Sequence, residues 1–120
     1  MFFKEVTIMY ERSKHLLSCY IAGFTYYDGL DVINELEIGT HLILKAEPNN
    51  PYDPEAIVIY YCYKKIGYIP RTMTSILSEL LYFGYEDILT AQISAVDLEA
   101  HPERQVRIVV KIIDNRACEN

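Results

Sequence analysis

No apolar run in this chain approaches the roughly 18–20 residues that a membrane-crossing helix needs. The N-terminus has no charged n-region, apolar h-region or small-residue cleavage site. Neither a span nor a secretory leader is expected, and a reducing cytoplasm is the expected compartment. Cysteine is scarce. Cys19, Cys62 and Cys118 are odd in number and lack a Cys-x-x-Cys spacing, which argues against a disulfide framework. Two of the three lie in apolar runs, where a thiol is expected to pack as a small buried hydrophobe.

Chemistry-bearing motifs are also missing. His15, His41 and His101 stand far apart, and none falls in a nucleophile, metal or phosphate motif. Cys62, inside Tyr60-Tyr61-Cys62-Tyr63, is expected to pack rather than attack. The reading is therefore a binding protein with no catalytic residue, no metal and no cofactor. Basic residues are in the minority, 11 against 17 acidic, for a net charge of −6. Holding a polyanion by bulk electrostatics is excluded, so any nucleic-acid site must be local. The segment from His41 to Thr74 is the place to look, because Lys45, Lys64, Lys65 and Arg71 there outnumber Glu47, Asp53 and Glu55.

What the chain has in excess is tyrosine: 11 of its 120 residues, with no tryptophan. That length suits one domain over residues 1–120, and tyrosine suits strands or a binding face. Loose alternation through Phe3–Tyr10 and the apolar run Leu16–Phe24 read as strands. So do Thr40–Ala46, Ala56–Tyr63 and Lys65–Ile69, the last two joined by a tight turn at Lys64-Lys65, and then a hairpin of Leu89–Val96 and Gln105–Ile113. Met73, Ile76, Leu77, Leu80 and Leu81 recur at helical spacing between Pro70 and Gly84, predicting one α-helix over about 70–83. Residues 114–120 are expected to fray. The sum is a mainly β fold: a small, closed or nearly closed barrel of about six to seven strands with one helix, or else an α+β sandwich.

Two segments are irregular. Glu47 to Glu55 carries three prolines and two asparagines between strands; X-Pro geometry and Asx-turns would by themselves shape such a loop. Gly23 to Gly29 holds the pair Tyr26-Tyr27, which strand alternation would split into one core ring and one surface ring, unless the strand end twists both into a shared groove.

Gly-Phe-Thr-Tyr-Tyr-Asp-Gly (23–29), EPNNPYDPEAIVI (47–59) and KIGYIPR (65–71) together resemble the HIRAN domain family, over about residues 17–112. HIRAN domains accompany SWI2/SNF2-type helicases and occur as free-standing bacterial proteins; this chain is similar to the free-standing kind. The resemblance implies an OB-like β-barrel and capture of the 3′-hydroxyl end of single-stranded DNA. By the same resemblance Tyr26 and Tyr27 would stack terminal bases, and Asp53 would accept the terminal hydroxyl and repel a phosphate. Arg71 would pair a backbone phosphate, Asn49, Asn50, Tyr52 and Tyr68 would shape the pocket, and Lys45 is a weaker phosphate candidate. The sequence departs from the DNA-binding example at Thr25, where that example has a basic residue, so one phosphate contact is expected to be lost.

Two functions follow as expectations. One is a non-catalytic DNA-end binder in repair or replication, with a helicase or nuclease as partner. The alternative is a protein-interaction module meeting a partner or another copy of itself through Tyr60, Tyr61 and Tyr63.

Overall fold

The structure, a computed structural model, describes residues 12–116. Six strands form one antiparallel sheet: β1 (Ser13–Tyr20), β2 (His41–Ala46), β3 (Ile57–Tyr61), β4 (Lys64–Tyr68), β5 (Leu89–Val96) and β6 (Val106–Ile113). Their order is β1-β6-β5-β2-β3-β4. The strand expected over Phe3–Tyr10 lies outside the described residues. So does most of the tail expected to fray, although Asp114 donates its backbone N–H to the Arg12 carbonyl at 2.7 Å and extends the β1–β6 pairing.

Alternation places the core. Along β2, Leu42 and Leu44 point inward while His41, Ile43 and Lys45 are exposed. Along β6, Val106, Ile108 and Val110 are buried and Arg107, Val109 and Lys111 lie on the other side. β3 departs from this pattern, since Ile57, Val58 and Ile59 are all buried, as in a strand covered on both faces. Each fully buried aliphatic side chain contributes about 1.5–3 kcal/mol, so the isoleucine-rich interior carries most of the stability.

The β3–β4 hairpin turns two residues earlier than Lys64-Lys65. Cys62 and Tyr63 form a two-residue turn with φ of 48° and 69°, the left-handed pair that matches strand twist. Tyr61 and Lys64 pair across its base. Cys62 is consequently exposed at the tip rather than packed, whereas Cys19 is buried as expected. Burial pushes the Cys19 thiol up to about 11, against a smaller downward pull from Arg107.

The helix is shorter than its apolar spacing suggests. Residues 71–73 form a single 3-10 turn after the extended Pro70, and the α-helix proper is Ser75–Tyr82. A one-turn helix at Gly29–Val32 precedes it, so these are α1 and α2. Leu77, Ser78 and Leu81 of α2 are buried, but Met73 and Ile76 face solvent. Met73 belongs to the turn, and Ile76, in the first turn of α2, sits on its solvent side.

The sheet curls without closing. Ala22, just past β1, exchanges two hydrogen bonds with Tyr68 at the end of β4, 2.8 and 2.9 Å long. This isolated bridge joins the two outer strands at one point where a closed barrel would have a continuous ladder. Gly67 permits the approach: its φ is 150°, and a Cβ there would lie 2.3 Å from Ile21 Cγ2 and 2.6 Å from the Ala22 carbonyl oxygen.

Candidate nucleic-acid interface

The bridge at Ala22 and Tyr68 floors an open cavity of about 320 Å³, within the range typical of ligand sites. Four separate segments wall it. Gly23, Tyr26 and Tyr27 come from the turn after β1, Asn50, Tyr52, Asp53 and Ala56 from the proline-rich loop, Tyr68 and Ile69 from the end of β4 and the residue after it, and Arg71 from the turn before α2.

Strand alternation does not govern the tyrosine pair. Gly23, at φ 72°, starts a 3-10 turn over Phe24–Tyr26. Phe24 enters the core, and both Tyr26 and Tyr27 stay exposed, at 78% and 40%. A Cβ on Gly23 would sit 3.3 Å from the Tyr27 ring, so glycine supplies both the turn geometry and the room for the ring. Tyr27 meets Tyr68 edge-on at 5.6 Å, an arrangement that suits aromatic quadrupoles.

The loop is built by its own side chains. Asn50 Oδ1 accepts the backbone N–H groups of Tyr52 and Asp53 at 2.8 and 3.1 Å, and Asp53 Oδ1 accepts that of Glu55 at 3.0 Å. These are the Asx-turns that such a loop permits. They leave Tyr52 almost wholly exposed at 88%. Asp53 Oδ2 lies 3.5 Å from Arg71 Nε. Asp53 is therefore both a loop cap and an ion-pair partner, and a carboxylate with about four acceptor sites keeps capacity for another donor.

Behind the aromatic wall, Lys65 Nζ lies 4.3 Å from the Tyr27 ring centroid and 4.6 Å from that of Tyr68. It donates to Tyr68 Oη at 2.7 Å, and Tyr68 Oη donates to Glu47 Oε1 at 2.7 Å. Asn50 Nδ2 donates to the same oxygen at 3.1 Å, and Lys65 reaches Glu47 Oε2 at 3.9 Å. For Lys65, burial pulls its proton affinity down, but the Tyr68 hydroxyl and the Glu47 carboxylate outweigh it and hold the ammonium more firmly charged. Tyr68 is held neutral to higher pH by burial and by Glu47, against the opposing pull of Lys65.

The cavity thus gathers Tyr26, Tyr27, Asn50, Tyr52, Asp53, Tyr68 and Arg71. Asn49 and Lys45 do not line it; Lys45 projects from β2 over the Tyr60 ring, 5.7 Å from its centroid. Lys65 and Glu47 were not singled out as site residues from the sequence. Lys65 and Tyr68 are three apart, which regular alternation would send to opposite faces. A bulge, with Ile59 opposite Gly67 but Tyr60 opposite Lys65, puts them on one side. The charges about the cavity cancel in pairs, Asp53 with Arg71 and Glu47 with Lys65. What remains is an aromatic slot with polar ends, suited to a planar group and a hydroxyl.

Residues 14–112 match the HIRAN domain. The chain belongs to the HIRAN family. Over 65 residues it is 37% identical to a Fanconi-associated nuclease 1 homolog of Oryza sativa subsp. japonica, a match that spans 51% of this chain but only 6% of that protein. A crystal structure of a Lactobacillus plantarum protein superposes with a TM-score of 0.70 at 20% identity, covering 86% of this chain and 97% of that one. The HIRAN domain of human HLTF superposes at 0.58 with 16% identity, covering 84% and 78%. The sheet therefore has the OB-like fold of HIRAN domains, which are binding domains rather than catalytic ones.

Proposed function

We propose that this HIRAN domain captures the 3′-hydroxyl end of single-stranded DNA in the tyrosine-walled cavity, in the service of DNA repair or replication. The observation that carries the reading is the convergence of Tyr26, Tyr27, Asp53 and Arg71, from segments far apart in sequence, on one open cavity. Tyr27, steadied by Tyr68, and the exposed Tyr26 offer faces on which any base stacks. Asp53 accepts the terminal hydroxyl through a lone pair left over from its cap and its ion pair. An end carrying a phosphate would bring a second anion against that carboxylate and be rejected. Arg71, mostly exposed beyond its contact with Asp53, takes the penultimate phosphate.

Fluorescence anisotropy on short single strands, ending in a 3′-hydroxyl or a 3′-phosphate, tests this. The hydroxyl end is expected to bind more tightly, and Tyr27→Ala to cost about 1–3 kcal/mol of that affinity. Asp53→Asn is expected to erase the discrimination between ends. Equal binding of both ends by the unaltered protein would overturn the reading.

A second reading, docking to a protein such as a helicase or nuclease or to another copy of the chain, rests on Ile76, Tyr82, Phe83 and Tyr85. Ile76 lies exposed near the start of α2 and the other three around its end, and exposed apolar surface suits a partner. Sedimentation with and without Tyr82→Ser and Phe83→Ser checks for self-association through that surface.

A further inference from the structure

The acidic character of this protein stops at the sheet. None of the six strands contains an aspartate or a glutamate, whereas they carry Lys14, Lys45, Lys64, Lys65, Arg107 and Lys111. Among the described residues every aspartate and glutamate lies in a turn, a helix or a loop. On the curled sheet this segregation has a direction. Cys19, Leu42, Ala91, Ile93, Ile108 and Val110 are buried, so their strand neighbours face away from the core.

Register shows what those neighbours build. Across β1 and β6, His15 stands opposite Lys111 and Tyr20 opposite Arg107; across β5 and β2, Gln92 stands opposite His41. Arg107 lies 5.1 Å from the Tyr20 ring centroid. Neither Arg107 nor Lys111 has a carboxylate partner within its own or its neighbouring strands. The two cations are four residues apart on one strand, about 13 Å. Tyr20 and His15 thus stand beside Arg107 and Lys111 on strands that carry no carboxylate, a combination that suits a single strand by pairing phosphates and stacking bases. β1 leads from this face into the cavity, because Tyr20 ends it and Ala22 lines the cavity wall.

We propose that the outward face of β1, β6 and β5, centred on Tyr20, Arg107 and Lys111, is a second contact for single-stranded nucleic acid, one that grips the body of the strand. It needs no free end, and it holds whether or not the cavity captures one. Charge complementarity favours this occupant, and the rings favour nucleic acid over an acidic peptide.

A closed circle of oligothymidylate, about 20 nucleotides around to exceed one OB-fold site, has no end and isolates this face. In low-salt anisotropy the unaltered protein is expected to bind it, and Arg107→Gln with Lys111→Gln to weaken binding about tenfold. The double variant should also make the salt dependence shallower by about 1.4, from two phosphate contacts at about 0.7 each. Tyr27→Ala should leave the circle bound, which separates this face from the cavity. Arg107→Lys with Lys111→Arg should restore binding, and the single variant Lys111→Gln should lose part of it. Failure to bind the circle, or unchanged binding by a double variant whose melting matches the unaltered protein, overturns the proposal. So would a dimer in sedimentation that the same substitutions dissolve, since the face would then belong to a second copy of the chain.

Discussion

On the functions proposed for them, the cavity and the outward face of the sheet would address the same kind of ligand by opposite means. Charges around the cavity are spent on one another, Asp53 on Arg71 and Glu47 on Lys65, leaving rings and polar ends to do the binding. On the face, the strands hold Arg107 and Lys111 with no acidic residue among them. Binding in the cavity should therefore depend chiefly on shape, with a shallow salt dependence from the one phosphate contact at Arg71, and binding on the face should decay more steeply as salt rises. On that proposal a protein of net charge −6 would meet a polyanion by housing recognition and electrostatics in separate places.

The two regions share one joint, and breaking it gives the largest expected effect. Gly67→Ala would force a Cβ into Ile21 and the Ala22 carbonyl at a φ of 150°, which alanine tolerates poorly. Overpacking and backbone strain together should cost about 3 kcal/mol of stability, read as a lower urea midpoint. Because Ile21–Ala22 links the face strand to the cavity wall, binding to both free-ended and circular strands should weaken together. Loss of one without the other would show that the regions are mechanically independent.

Lys65 sharpens the comparison from the cavity side. Its ammonium contacts two rings and a hydroxyl, so Lys65→Met removes two cation–π contacts and a charge-assisted hydrogen bond and leaves Glu47 uncompensated beside Tyr68. Stability should fall by about 1–2 kcal/mol, and end binding should weaken through a looser Tyr27 while the circle is bound as before. Lys65→Arg should recover most of both. If the circle is affected as strongly as the free end, Lys65 acts through net charge and not by holding the rings.

How legible these regions were in the sequence follows the same divide. Regular strands announce themselves: β5 falls on Leu89–Val96 as its pattern indicates, and the motifs point to the tyrosine pair, Asp53 and Arg71, which the fold brings to one cavity. What escaped depends on backbone geometry that side-chain patterns do not encode. The 3-10 turn at Phe24–Tyr26 overrides strand alternation, the left-handed Cys62-Tyr63 turn moves the hairpin tip, and the β4 bulge brings Lys65 to Tyr68. The acid-free face escaped for another reason. Charge counted along the chain averages strands with loops, and only the register sorts the two.

The smallest expected effect concerns the two sides of β1 itself. Cys19 points inward between the outward Ser18 and Tyr20, and burial raises its thiol from 9.0 to about 11 while Arg107, from the outer face, pulls it down. An unfolded thiol ionises near 9.0, so the folded state's preference for the neutral form is fully present below that pH. It is lost as pH rises through about 11. Stability should therefore decline across that window, and Cys19→Ser should flatten the decline. At neutral pH iodoacetamide should label the exposed Cys62 while sparing Cys19. Arg107→Gln removes the one downward pull and should extend the decline to still higher pH while its onset near 9.0 stays put. No shift on that substitution would mean that the charge of the outer face does not reach through the strand, and that the two sides of β1 are electrostatically separate.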